Sequence, residues 1–152
     1  MALLIDKLAV SSPDFPNGGR IPANYSADGG NDTPTIEVSG APEGTVEFAL
    51  ILNDPDAPLP NGFTHWVAYG IPPIDGTLDL SAPGVHVAPN GAGATQYYGP
   101  QPPAGHGDHH YFFHLYALKT PVEGDPSREE FLQKYADSVI ETARYVGTFS
   151  TE

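Results

Sequence analysis

From His109 to Leu118 the chain reads HHYFFHLYAL, ten residues that are all aromatic, aliphatic or histidine. A run of this kind predicts a strand covered by protein on both sides, as in the core of a sandwich. With a side-chain period of two, His109, Tyr111, Phe113, Leu115 and Ala117 share one face, and His110, Phe112, His114, Tyr116 and Leu118 the other. The ten residues before it, GPQPPAGHGD, carry Pro100, Pro102, Pro103, Gly105 and Gly107. Those residues fix φ or permit unusual φ, so they predict a rigid loop outside any ladder. Polar ring atoms therefore stand where a rigid loop enters an apolar core, the make-up of a small ligand pocket.

Two further stretches point to the same place. Thr45 to Asp54 (TVEFALILND) alternates as a strand, with Val46, Phe48, Leu50 and Leu52 on one face and Asp54 next on that face. Pro55 cannot donate to a ladder and holds Asp54 extended, so the strand is expected to stop with a carboxylate at the rim of the core. Phe63 to Ile71 is the next strand, with Phe63, His65, Val67, Tyr69 and Ile71 sharing a face. In an antiparallel pairing its beginning lies beside the end of the preceding strand. Asp54 and His65 can then meet, and His109 and Tyr111 can join them.

The rest of the chain reads more weakly. Leu4 to Val10 and Thr35 to Val38 are short strands separated by turn-forming residues, and Pro72 to Pro89 is a broken connection with short extended pieces. Ser127 followed by REEFLQKYADSVIETA has a capping serine, acidic residues in the first turn and apolar Phe131, Leu132, Tyr135, Val139 and Ile140 at helical spacing. This predicts one helix from about Arg128 to Ala143, with Tyr145 to Phe149 as a closing strand. Strands followed by one late helix make the chain mainly β, an antiparallel sandwich packed with a helix. At 152 residues, with no internal repeat or linker, it reads as a single domain over 1–152.

Charge excludes some partners. Nineteen acidic residues against six basic ones give a formal net charge of -13, which repels nucleic acid and anionic membranes. No Lys or Arg lies between Ile21 and Leu118. An anion held by the central motifs must be held by histidine, hydroxyl and backbone N–H groups. There is no cysteine, so disulfide and thiolate-zinc frameworks are excluded. Asp6 and Lys7 interrupt the only apolar stretch near the start, so Met1 to Val10 predicts neither a secretory signal nor a membrane span, and a cytoplasmic location is the expectation.

GPQPPAGHGDHHYFFHLYAL, together with NDPDAP at Asn53 to Pro58 and GFTHW at Gly62 to Trp66, resembles the phosphatidylethanolamine-binding protein family, in particular its bacterial and archaeal Raf-kinase-inhibitor-like branch. The likeness runs from the DGGNDTPTIEVSGAPEG stretch to the YVGTFS ending. It implies a Greek-key β-sandwich with the pocket at one end. It also implies that Asp54, His65, His109 and Tyr111 line an anion-binding pocket, that Asp56 supports its wall, and that Pro102 and Pro103 form its rim. Relatives have non-trans peptide bonds near DPDAP, which makes Ala57–Pro58 the expected cis bond. The family commonly has arginine after the pocket histidine. This chain has His110 there, so any partner which that arginine gives Asp56 is expected to be missing.

Each of these residues also has a plainer account: Asp54 as a turn residue, His65 as a hydrogen-bonded half-buried histidine, Tyr111 as core. Their convergence on one strand-end rim favours a site. His86, His106 and His114 are read as loop or packing residues. Asp54, Asp56, His65 and His109 have donor types that suit zinc or iron, but no HExxH spacing is present and the family pocket needs no metal, so no metal and no cofactor is expected. No GxSxG elbow, P-loop or dinucleotide motif occurs.

The leading expectation is a binding protein for a small anion or a phosphate head group. A second is an enzyme using Asp54, His65 and His109 for general acid–base chemistry on a small molecule, as isomerase, cyclase or hydrolase. A third is a protein-binding regulator of kinases or proteases. Resemblance to bacterial relatives implies a homodimer.

Overall fold

The computed structural model describes residues 7–152. Nine strands and one helix follow in order: β1 (Ala9–Ser11), β2 (Gly19–Arg20), β3 (Glu37–Ser39), β4 (Glu47–Asp54), β5 (Phe63–Ile71), β6 (Gly76–Thr77), β7 (His86–Ala88), β8 (His109–Leu118), α1 (Arg128–Lys134) and β9 (Val139–Phe149). Residues 4–6 of the strand expected over Leu4 to Val10 lie outside the described residues.

Two sheets form. One has the order β1-β3-β6 and the other β2-β9-β8-β4-β5-β7. Every pairing is antiparallel except β2 with β9. Within the large sheet β4, β5 and β7 lie side by side in chain order, and β8 returns to the free side of β4. That is the Greek-key arrangement.

The central strands are buried on both faces, as their composition demands. Phe48, Leu50 and Leu52 of β4 pack with Tyr111, Phe113 and Leu115 of β8 and with Val10 and Val38 of the small sheet in the core between the sheets. On the outer face Ala49, Ile51, Val67, Tyr69, Tyr116 and Leu118 gather around Phe131 of α1. Val46 falls before β4 and is exposed.

The helix begins where its cap predicts. The Ser127 hydroxyl accepts from the Glu130 N–H while the Glu130 carboxylate accepts from the Ser127 N–H, a reciprocal capping box. It ends at Lys134, not near Ala143. A 3-10 turn at Ala136–Ser138 follows, and from Val139 the chain is strand. The reason is tertiary: Val139, Ile140 and Thr142 are β-branched, and the edge of β8 offers a ladder over its whole length, from Leu118↔Val139 to His109↔Phe149.

Candidate functional site

β4 and β8 place their site residues by simple alternation. Asp54 follows Leu52 and Leu50 on the inter-sheet face of β4, and His109 and Tyr111 precede Phe113 on the same face of β8. His65 arrives differently. Leu52 pairs with Trp66, but Asn53 pairs with Thr64, so one extra residue, His65, is accommodated in β5. This β-bulge breaks the period of two. Val67 and Tyr69 face α1, while Phe63 and His65 turn towards Asp54 and Tyr111; the His65 and Tyr111 ring centroids are 5.2 Å apart, edge to face. The single face expected for Phe63 through Ile71 is therefore split, with His65 on the side that makes the site.

The four side chains surround a cavity of about 290 Å³. Asp54, His65, His109 and Tyr111 are all buried. The Nδ1 of His109 lies 2.7 Å from Asp54 Oδ2. A carboxylate can only accept, so Nδ1 carries the proton and Nε2 is left for a ligand. The other oxygen of Asp54 accepts from the Asp56 N–H at 2.8 Å. His65 is oriented in the same way: its Nδ1 donates to the Tyr98 carbonyl oxygen at 2.6 Å, again freeing Nε2. Burial pushes the His65 imidazolium to a lower pKa than usual, opposed in part by the Tyr98 carbonyl and by Asp54.

Tyr98 is itself clamped. The side-chain amide of Asn31 donates to the Tyr97 carbonyl at 2.9 Å and accepts from the Gly99 N–H at 2.6 Å. A Cβ at Gly99 would lie 2.1 Å from the Tyr25 carbonyl oxygen, so only glycine lets the two segments approach this closely. The hydroxyl of Tyr111 is buried with no hydrogen-bond partner. Burial, and then the charge of Asp54, push its phenol well above the ordinary value, so it keeps its proton. Ala57, Pro58, Leu59, Phe63, Tyr98, Gln101, Pro102 and Pro103 complete the wall, which is apolar towards the mouth.

Asp56 stands beside the cavity, not in its wall. Its Oδ2 accepts from the His110 backbone N–H at 2.7 Å and from the His110 ring Nδ1 at 2.8 Å. Burial alone would raise this carboxyl, but the two His110 bonds win and hold it below the usual carboxylate range. The loss expected from replacing arginine thus does not occur, because the imidazole reaches Asp56. All described peptide bonds are trans, Ala57–Pro58 included, contrary to the expected cis bond. The turn ends at Gly62, φ +69°, where a Cβ would stand 2.4 Å from the Asp54 carbonyl oxygen.

Among the described residues no cluster of His, Cys, Asp or Glu has the arrangement of a metal site, and no helix is long and apolar enough to cross a membrane. Sequence reasoning missed Ala57, Pro58, Leu59, Phe63, Tyr98 and Gln101 as wall residues. For Phe63 and Tyr98 there was a signal: each sits at the edge of a motif, Phe63 two residues before His65 and Tyr98 just before the proline loop.

Residues 11–150 match the sequence profile described as phosphatidylethanolamine-binding protein. The chain belongs to the phosphatidylethanolamine-binding protein family. An Aquifex aeolicus relative, named only as a UPF0098 protein, is 38% identical over 154 residues, covering 95% of this chain and 90% of that one. A Mycobacterium tuberculosis relative named as a lipoprotein, LppC, is 40% identical over 148 residues, which are 95% of this chain and 73% of that protein. Among solved structures, Escherichia coli YbcL, described as a member of the mammalian PEBP family, superimposes with a TM-score of 0.87 at 29% identity, over 96% of this chain and 99% of that one. With such relatives in bacteria and archaea, the family membership accounts for the sandwich and the order of the three motifs.

Proposed function

We propose that this phosphatidylethanolamine-binding protein family member binds a small anion, or the phosphate-type head of a larger ligand, in the cavity at the end of β4, β5 and β8. The observation that carries the reading is the convergence of the His65 and His109 rings, each with Nδ1 committed and Nε2 free, with an unpartnered Tyr111 hydroxyl. Imidazolium Nε2–H groups and the phenol are the donors. The apolar wall of Leu59, Phe63 and Pro102 favours a ligand with an apolar body attached to that head.

Calorimetric titration at fixed, mildly acidic pH tests the reading with phenyl sulfate and inorganic sulfate as probes. One site per chain is expected, with phenyl sulfate tighter by about tenfold or more from burial of its ring. Both affinities fall in His109→Ala. Absence of saturable binding by either probe overturns the reading.

A further inference from the structure

The cavity holds more than an anion receptor requires. A receptor for anions needs donors, yet with Nδ1 of each ring tied to an obligate acceptor, the neutral rings of His65 and His109 present lone pairs at Nε2. The His109 ring is also supported as a base would be. Its partner Asp54 is buried and held at both oxygens, by His109 Nδ1–H and by the Asp56 N–H, so neither the ring nor the carboxylate is free to swing. Two residues along the same face of β8, Tyr111 keeps its hydroxyl unpaired in the wall of the same cavity. A base, a residue that fixes its tautomer, and an uncommitted hydroxyl donor thus meet in a largely apolar space.

We propose that this cavity is a proton-transfer site for small, mainly apolar carbon acids, with His109 as the base, Asp54 as its positioning residue and Tyr111 as the donor to the oxygen on which negative charge develops. The inference rests on the same cavity as the binding function but not on the ligand being an anion. In the reaction His109 Nε2 takes a proton from a carbon next to a carbonyl. The C–H pair becomes a C=C bond, the carbonyl π pair moves to oxygen, and the Tyr111 O–H donates a hydrogen bond to that enolate oxygen. Return of the proton from imidazolium to the γ-carbon of an unsaturated substrate completes a 1,3-shift, with no oxidant, reductant or co-reactant.

The probe is 5-nitrobenzisoxazole, which reports one such transfer. Nε2 takes the C3 proton, the C–H pair forms the nitrile, the N–O bond breaks, and the coloured phenolate oxygen leaves beside Tyr111. The imidazolium then returns its proton to water. Saturable turnover is expected at mildly alkaline pH, about 10²-fold or more above free imidazole at equal concentration. Asp54→Asn should lower it by at least about tenfold, because the asparagine amide N–H₂ facing Nδ1 reverses the tautomer and leaves Nε2 protonated. The same variant keeps its sulfate binding, which a merely structural role for Asp54 does not predict. Tyr111→Phe should lower the rate by about tenfold or more without loss of fold. His86→Gln, outside the cavity, should leave it unchanged. Turnover that is linear in substrate, or that survives both Asp54→Asn and Tyr111→Phe, overturns the inference. Sulfate binding without turnover also overturns it and leaves the binding function standing. Turnover in a protein that shows no sulfate binding even at acidic pH supports it and overturns the anion reading instead.

Discussion

Replacing Tyr111 with phenylalanine should stabilise this protein, an unusual outcome for a fully buried residue. The side chain is fully buried and packed in the inter-sheet core, and its hydroxyl has no hydrogen-bond partner among the protein's own groups. A buried polar group left unpaired costs about 1–3 kcal/mol relative to its hydrated state. Phenylalanine keeps the ring, its edge-to-face contact with His65 and its place in the inter-sheet core, so no cavity term offsets the gain. The expected change is a gain of about 1 kcal/mol, the bottom of that range, because the hydroxyl borders the cavity and lies in the field of the Asp54 carboxylate. For a chain of this size that is roughly 2–4 °C in Tm. Urea unfolding followed by tryptophan fluorescence reads it directly through Trp66, the only tryptophan. The midpoint should rise at unchanged m-value, since the surface exposed on unfolding is the same. A loss of 1 kcal/mol or more would show that the hydroxyl donates to Asp54 and belongs to the fold.

Gly62→Ala should destabilise by about 2 kcal/mol or more and weaken phenyl sulfate binding, because φ is +69° there and a Cβ would stand 2.4 Å from the Asp54 carbonyl oxygen; denaturant melts and calorimetry check both. His114 carries a pH signature. Burial, followed by Arg128 and Arg144, lowers its pKa to about 4 in the folded chain, against ~6.5 when unfolded. The unfolded state therefore takes up the proton first, and the stability present above pH ~6.5 is lost as pH falls towards 4, by up to about 2 kcal/mol after allowance for screening. His65 acts with the same sign, so His114→Gln should flatten part of this slope in unfolding experiments across that window, and an unchanged slope contradicts the assignment.

The legible parts of this fold and site were those that follow from alternation. Asp54 after Leu52, and His109 and Tyr111 before Phe113, lie where a period of two places them. The capping box at Ser127 marked the helix start to the residue. Its end was not legible, since Tyr135, Val139 and Ile140 continue a helical spacing that only the open edge of β8 overrides. Nor was the bulge at His65: a bulge is one extra residue between two pairings, and the sequence of a single strand does not contain its partner's register. The pairing of His110 with Asp56 was not legible either, because whether an imidazole reaches a carboxylate depends on the turn that brings the two segments together. Geometry decides it, for the backbone N–H of His110 already brings Asp56 within reach of the ring.

Whether imidazolium holds the anion is tested by titrating the protein with sulfate in a calorimeter at constant ionic strength, once at acidic and once at mildly alkaline pH. Sulfate keeps its charge throughout, whereas phosphate changes its own near pH 6. The cavity lies in a chain of net charge -13 with Asp54 in its wall and no Lys or Arg between Ile21 and Leu118, so a protonated ring is the source of compensating charge. His65 accepts its proton only below the ordinary ~6.5, which places the gain on the acidic side. Binding should be clearly tighter at acidic pH, and His65→Ala or His109→Ala should flatten the dependence. Equal sulfate affinity on both sides of neutrality would contradict it and assign the anion to backbone N–H groups.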